Sequence, residues 1–228
     1  IPFIARYRKE AHGTLDDEQL RKLYERLTYL RNLEEKKEQV LASIEEQGKL
    51  TSELKAQIVA AETQVLVDDL YRPYRPKRRT RATIAKEKGL EPLAALISLQ
   101  NSKEPLEKEA EKYVSEEKGV KNVQEAIDGA KDILAENISD EADYRKRIRD
   151  LTFKKGTLVS AAKDEKAESV YEMYYDFTEA VSKVAGHRVL ALNRGEKEQF
   201  QSVKLQAPEE EILRDLEKKV IRKDNPYT

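Results

Sequence analysis

The sequence predicts a mainly α-helical chain, and three features indicate this class. Charged residues make up 38% of the 228 residues and hydrophobic residues 39%, proportions typical of amphipathic helices with heavily charged outer faces. Glycine and proline are sparse, at 8 and 7, which disfavours turn-rich β structure. Apolar residues recur at spacings of three and four over long stretches. We therefore expect an elongated multi-helix scaffold with a long helical hairpin and one β-hairpin near the C-terminal end.

Residues 1–70 are predicted to form the long helical hairpin. The first long helix is expected to begin near Thr14, with Asp17 as its capping-box acid, and to end at Gly48. Four leucines mark its apolar stripe: Leu20, Leu23, Leu27 and Leu30. Its length of roughly 33 residues, or about 50 Å, indicates a scaffold helix against which several elements pack. Thr51 is predicted to cap a second, antiparallel helix.

Two segments are predicted to follow the hairpin. Residues 71–82 form a basic proline-rich loop, because Pro73 and Pro76 exclude a helix interior. Residues 83–185 form a helical domain with a candidate helix-turn-helix at its start. The second helix of that motif carries no Lys or Arg over 91–101, so we expect it to be architectural and not to read DNA.

The last segment, 186–228, is predicted to combine a β-hairpin with a helix. The strands are expected at 187–192 and 200–205, where the apolar period changes, and the helix at 209–221. A short helix is expected just before them, at 180–184. Four side chains of the hairpin are expected to pack inward: Leu190, Leu192, Val203 and Leu205.

A run of six basic residues without an acid is the sharpest functional candidate. They are Arg72, Arg75, Lys77, Arg78, Arg79 and Arg81. Tyr71 and Tyr74 interleave with them. Guanidinium groups suit phosphate, and tyrosine rings stack on bases. Three readings stay open: a nucleic-acid contact, a rigid connector whose arginines pair with carboxylates of nearby helices, and a contact with a protein partner.

A second basic cluster covers 145–149 and continues with Lys154 and Lys155. Its spacing is helical, with Ile148 and Leu151 facing inward. We expect it to be a charged, solvated face, which gains functional weight only where it lies beside the basic loop.

The chain offers little material for catalysis. It has no cysteine and two histidines, His12 and His187, far apart in the sequence. It carries no phosphate-cradling loop, dinucleotide glycine pattern or nucleophile elbow. We therefore expect no catalytic residue, no metal site and no cofactor, and we expect the protein not to be an enzyme.

Charge and hydropathy limit the partners and the compartment. Basic and acidic residues nearly cancel, at 43 and 44, so net charge does not indicate a partner. No apolar run approaches the roughly 18 residues of a membrane span, and no signal peptide opens the chain. We expect a cytoplasmic protein without a membrane partner. The start at Ile1 and the stop at Thr228, just past a helical run, predict a fragment of a larger protein.

Three stretches resemble the Tex family of bacterial transcription accessory proteins. The first is IPFIARYRKE at 1–10, with LDDEQL at 15–20. The second is DLYRPYRPKRRTRATIA at 69–85, and the third is HRVLALNRGE at 187–196. In the middle of the chain, about 100–180, the resemblance lies in the pattern of helices more than in the identity of individual residues.

The resemblance implies an elongated, helix-rich protein related to the core of the eukaryotic elongation factor Spt6. The whole family protein continues into a nuclease-like domain without activity, helix-hairpin-helix motifs and an S1 domain, which is its principal nucleic-acid binder. The expected function is thus a helical scaffold that binds RNA or DNA without sequence specificity, mainly through domains outside this chain. The alternative is a protein-interaction scaffold that docks onto RNA polymerase or another partner without touching nucleic acid.

Overall fold

The computed structural model describes residues 1–102, 104–223 and 225. Within them the chain forms twelve α-helices and three β-strands, which confirms the mainly α class. The chain divides into two compact units, Ile1–Pro76 and Lys77–Thr228. The helices of the first unit are α1 (Pro2–Tyr7), α2 (Lys9–His12), α3 (Asp17–Glu46), α4 (Ser52–Ala60) and α5 (Gln64–Tyr71).

The N-cap of helix α3 is Asp16, two residues later than the predicted cap Thr14. The side chain of Asp16 accepts a hydrogen bond from the backbone N–H of Gln19 at 2.8 Å, and the Gln19 side chain accepts one from the Asp16 backbone at 3.0 Å. This reciprocal pair satisfies two N–H groups that the helix start leaves open. The assignment of Thr14 and Asp17 as the capping pair is therefore wrong, although the long helix itself is confirmed.

The core of the first unit lies against the second half of α3 only. Its buried residues are Leu33, Val40, Ile44, Leu54, Ile58, Ala61 and Val67. In the first half of α3 the leucine side chains of the apolar stripe are not buried: Leu23 is 58% exposed and Leu27 is 44% exposed. Thr51 caps α4 as expected, but the chain breaks after Ala60 and Thr63 caps α5, so the predicted second helix is two helices.

The second unit is built on α9, which contacts α6, α7 and α8. Its helices are α6 (Arg81–Glu87), α7 (Glu91–Leu99), α8 (Leu106–Glu111), α9 (Val123–Asp140), α10 (Ala142–Lys155), α11 (Gly186–Lys197) and α12 (Glu209–Val220). Its core residues include Leu90, Leu93, Val120, Ile127 and Ile133. The short turn between α6 and α7 places Gly89 at a φ of 79°, which glycine adopts without steric cost, so both helices can pack on α9.

A small antiparallel sheet lies near the C-terminal end, in the order β2-β1-β3. Its strands are β1 (Thr157–Ala162), β2 (Asp176–Ala180) and β3 (Gln201–Gln206). The central strand β1 pairs Thr157 with Ala180 on one side and with Gln206 on the other. The sheet thus comes from three separated segments, and the predicted helix at 180–184 is wrong because Ala180 ends β2 and a turn follows.

The predicted hairpin is wrong in its first strand. Residues 187–192 belong to α11, whereas the second predicted strand coincides with β3. The helix buries Leu192 completely and leaves Leu190 59% exposed, as a helical face requires. On β3, Leu205 is 57% exposed, so two of the four residues expected to pack inward do not.

Glycine inside α11 has a packing reason. A Cβ atom at Gly195 would lie 2.8 Å from the side chain of Gln201 and 3.1 Å from the ring of Tyr171. Gln201 is fully buried and donates from Nε2 to the Leu192 carbonyl at 3.1 Å. Tyr171 donates its hydroxyl to Glu198 at 2.9 Å, and this hydrogen bond to a carboxylate raises the pKa of Tyr171 above its ordinary value of 10.0. Gly195 therefore lets β3 and Tyr171 approach α11 closely.

Candidate nucleic-acid interface

The run of six basic residues crosses the boundary between the two units. Arg72 and Arg75 belong to the first unit, and the remaining four belong to the second. Arg72 directly follows α5, as its C-terminal cap residue. The two interleaved tyrosines are tied to the first unit: the Tyr71 hydroxyl is 2.9 Å from Ser43 Oγ, and the Tyr74 carbonyl accepts from Gln47 Nε2 at 3.0 Å. Both tyrosines therefore act as anchors of this segment, while Arg75 is exposed to solvent.

We call residues 77–81, at the start of the second unit, the strap. It has no regular secondary structure until Thr80, whose hydroxyl accepts from the Thr83 backbone N–H at 3.0 Å and caps α6. The strap lies beside α9. Lys77 Nζ forms an ion pair with Asp140 and lies 3.4 Å from Glu136 Oε1. The Thr80 hydroxyl donates to the same Glu136 Oε1 at 3.1 Å.

Three carboxylates of α9 make this arrangement possible. Asp132, Glu136 and Asp140 follow one another at intervals of four, so they lie on one face of the helix and span about 12 Å. The segment from Lys77 to Arg81 reaches at most about 14 Å when extended. The two lengths match, and the strap meets the three acids in reverse order, since Arg81 lies 3.4 Å from Asp132.

The cations of the strap differ in how strongly they are held. The Lys77 side chain is only 26% exposed, and its two partners, Glu136 and Asp140, are 18% and 9% exposed. Arg79, which pairs with Glu87 at 2.8 Å, is 68% exposed, and Arg81 is 86% exposed. Ion pairs of such exposed groups contribute only about 0–1 kcal/mol each, so a phosphate can replace the carboxylate at little cost.

Two guanidinium groups lie outside these pairs. Arg75 and Arg78 are exposed, and within the described part of the chain no carboxylate pairs with either. The basic residues of the run therefore differ in their surroundings. Lys77 is paired inside the protein, and Arg78 is available to an outside anion.

Two residues of the second basic cluster, both on α10, form ion pairs with another helix. Arg147 lies 3.3 Å from Asp215, and Lys155 Nζ lies 2.7 Å from Glu211, both on α12. These cross-helix pairs fit the expected charged face. Its first turn lies near the strap, since Arg145 donates to the Ser139 carbonyl at 3.3 Å, next to the residue that holds Lys77.

An apolar groove of about 870 Å³ opens along α10, and Arg145 is one of its lining residues. It is bordered by α9, α10, α12 and β3, and its exposed apolar residues include Phe153, Leu205, Leu213 and Ile221. The inward-facing prediction for Leu151 is confirmed, whereas Ile148 lines this groove. A surface of this chemistry suits another polypeptide better than a polyanion.

The histidines and acids do not converge. The ring of His12 lies 3.1 Å from the Ile4 carbonyl, and His187 is an exposed residue in the first turn of α11. In the described ranges, no group of three His, Cys, Asp or Glu side chains is placed to hold a metal ion. Nor does any helix there have the length and apolar character needed to cross a bilayer.

Sequence reasoning missed the acidic stripe that faces the strap. Its signal is visible in the sequence as Asp132, Glu136 and Asp140 at helical spacing. Nothing in the sequence, however, indicates which of the chain's many acids lies against the loop.

Two family models match the chain. Tex central region-like matches residues 100–224, and Tex-like protein N-terminal domain matches residues 1–45. The first model alone covers more than half of the chain. It includes the middle of the chain, where few individual residues resembled the family.

Several relatives match nearly the whole chain. Protein YdcI of Bacillus subtilis is 50% identical over 225 residues, which is 97% of this chain and 31% of the relative. The Transcriptional accessory protein Tex of Neisseria gonorrhoeae is 46% identical over 201 residues, 87% of this chain and 26% of the relative. The human S1 RNA-binding domain-containing protein 1 is 29% identical over 215 residues, 90% of this chain and 21% of the relative. The chain thus spans less than a third of the length of these relatives, and it belongs to the Tex family.

Proposed function

We propose that this chain is a helical scaffold part of a transcription accessory protein, and that it contributes an auxiliary, sequence-independent contact to RNA or DNA. The names of its relatives support both parts: one is a transcriptional accessory protein, and another is named for an S1 RNA-binding domain. The chain spans under a third of those proteins, and we expect the principal nucleic-acid contact of the whole protein to lie outside this chain. The cytoplasm is the compartment that fits such a role.

The exposed guanidinium groups of the basic run carry this proposal. The proposed contact residues are the arginines of the run, Arg72, Arg75, Arg78, Arg79 and Arg81, whereas Lys77 lies among them but is paired with Glu136 and Asp140. Arg78 has no carboxylate partner in the described chain. The pair of Arg79 with Glu87 is exposed on both sides and exchangeable, and the Arg81 side chain is 86% exposed. Arginine forks bind phosphate oxygens bidentately, so a short row of them suits a nucleic-acid backbone.

The contact is expected to ignore base sequence. The rings of Tyr71 and Tyr74 are partly buried against the core of the first unit, so the proposed contact uses the arginines and not base stacking. Phosphate contacts position a nucleic acid but do not read it. Such binding is weak, with a Kd of about 10⁻⁴ to 10⁻⁶ M at physiological salt.

A salt titration tests the proposal. We would measure binding of the chain to labelled 20-nucleotide RNA and DNA single strands by fluorescence anisotropy, from low to physiological salt. Each phosphate contact contributes a slope of about −0.7 in log affinity against log salt, so the double variant Arg78→Gln/Arg79→Gln should lose about 1.4 of the wild-type slope.

The matched control removes two charges elsewhere in the same unit. Lys108 lies on α8 and Lys112 directly follows it; both are exposed and neither is part of the basic run. The variant Lys108→Gln/Lys112→Gln should keep the wild-type slope. Equal slopes in the wild type and the strap variant would contradict the proposed contact.

A protein-interaction scaffold is the second candidate, and the apolar groove favours it. Exposed side chains such as Phe153 and Leu213 suit a hydrophobic partner surface, as on RNA polymerase or another protein. This candidate predicts a partner contact that is lost with Leu213→Asp and unchanged by Arg78→Gln/Arg79→Gln. In a binding assay with purified RNA polymerase, binding that is unchanged by Leu213→Asp would contradict this candidate.

A further inference from the structure

Lys77 differs from its basic neighbours in its surroundings. Its ammonium group lies between two carboxylates of α9, Glu136 and Asp140, which are both less than one-fifth exposed. Two like charges one helical turn apart repel each other, and burial makes that repulsion costly unless a cation lies between them. Lys77 is that cation, so its charge is already used inside the protein.

The approach of a phosphate to Lys77 is unfavourable for the same reason. To reach Lys77, the anion has to approach two carboxylates, or the lysine has to move away from both of them. The exposed arginines of the strap carry no such penalty. Arg79 is 68% exposed and its single partner, Glu87, is 54% exposed, so water already screens that pair.

The strap is tied down at a second point by the same acid. Glu136 Oε1 accepts from Thr80, which also caps α6 by accepting from the Thr83 N–H. Lys77 and Thr80 therefore bracket Arg78 and Arg79, and both are fixed to α9. Fixing both ends of a four-residue segment removes most of the backbone freedom that binding would otherwise have to remove.

We propose that Lys77, held by Glu136 and Asp140, is a positioning residue: it anchors the strap so that Arg78 and Arg79 face solvent for phosphate, and it does not itself contact phosphate. The inference rests on the proposed nucleic-acid contact. It assigns different roles to adjacent basic residues that the sequence presents as equivalent.

The test separates affinity from its salt dependence. Lys77→Met keeps the length of the side chain and removes its charge. We expect it to lower affinity for a 20-nucleotide single strand about tenfold, equivalent to ordering roughly one backbone residue, and to leave the salt slope unchanged. Arg78→Gln should instead reduce the slope by about 0.7. A slope that falls as much in Lys77→Met as in Arg78→Gln would overturn the anchor role.

A second measurement, the melting temperature, tests the anchor without a binding assay and remains informative where a variant binds poorly because it is less stable. Lys77→Met leaves Glu136 and Asp140 without their shared cation, so it should lower the melting temperature. Arg214→Met, which removes an exposed pair with Glu210 in the same unit, should not. Adding Glu136→Gln removes one of the two charges and keeps an acceptor for Thr80, so it should restore part of the lost stability. Additive effects of Lys77→Met and Glu136→Gln would overturn the anchor.

Failure of the proposed function looks different. If the wild-type chain binds neither RNA nor DNA at low salt, the nucleic-acid contact is contradicted, while the stability cycle still decides whether Lys77 holds the strap. If the wild type binds and only the slope comparison goes against Lys77, the contact stands and the anchor role falls.

Discussion

Gly195 offers a test of how closely β3 approaches α11. In a helix interior, Gly→Ala is normally favourable by about 0.8–1 kcal/mol. Here the added Cβ would lie 2.8 Å from Gln201 and 3.1 Å from Tyr171. Gln201 cannot move away freely, because it is fully buried and its Nε2 is bonded to the Leu192 carbonyl.

The magnitude follows from these opposing effects. Overpacking in a filled core costs about 1–3 kcal/mol, which exceeds the gain in helix propensity. We expect Gly195→Ala to destabilise the second unit by about 1 kcal/mol. For a unit of this size, that corresponds to a fall in melting temperature of about 2–4 °C.

Differential scanning calorimetry is the suitable assay, because it resolves separate transitions where the two units do not unfold together. Gly186, the first residue of the same helix, is the matched control, since a Cβ there meets nothing within 4 Å. Gly186→Ala should keep or raise the melting temperature. If Gly195→Ala is as stable as Gly186→Ala, the close approach of Gln201 is refuted.

Three further outcomes are expected from the structure. Leu192→Ala removes a fully buried side chain and should cost about 2–5 kcal/mol by chemical denaturation, and a change below 1 kcal/mol would show that α11 is loosely packed. Thr80→Ala removes the cap of α6 and should cost about 1 kcal/mol, whereas Thr80→Ser should retain most of the stability. The raised pKa of Tyr171 contributes stability that is complete below pH 10 and is lost as the pH rises through the folded-state value. Tyr171→Phe should therefore lose less stability than the wild type between pH 9 and pH 11, and parallel curves would contradict the Glu198 hydrogen bond.

Local signals predicted most of the helices. Thr51 caps α4 as its sequence position indicates, and the helix predicted at 209–221 is α12. Residues 76–80 are irregular, as Pro73 and Pro76 require. In each case the information lies within a few neighbouring residues, so a single sequence contains it.

Long-range packing explains the failures. Asn193 and Gly195 resemble a turn, but Gly195 is small because Gln201 and Tyr171 lie against it, a contact that no local pattern reveals. The apolar run at 187–192 fits a strand or a helix equally well. The burial of Leu192, which depends on distant parts of the chain, accompanies the helix.

The candidate interface shows the same limit. The basic run itself is visible in the sequence, and the three acids of α9 are visible at helical spacing. Only the fold places Asp132, Glu136 and Asp140 beside the strap, and only that placement distinguishes Lys77 from Arg78.

The central claim is that nucleic acid contacts this chain at its basic run. Cross-linking the wild-type chain at low salt to a single-stranded RNA with randomly placed 4-thiouridine, followed by mass spectrometry of the peptides, locates the contact directly. We expect cross-linked peptides to centre on residues 72–81 and to decrease in Arg78→Gln/Arg79→Gln. Cross-links centred on the groove around Phe153 and Leu213, or spread evenly and unchanged in that variant, would contradict the account.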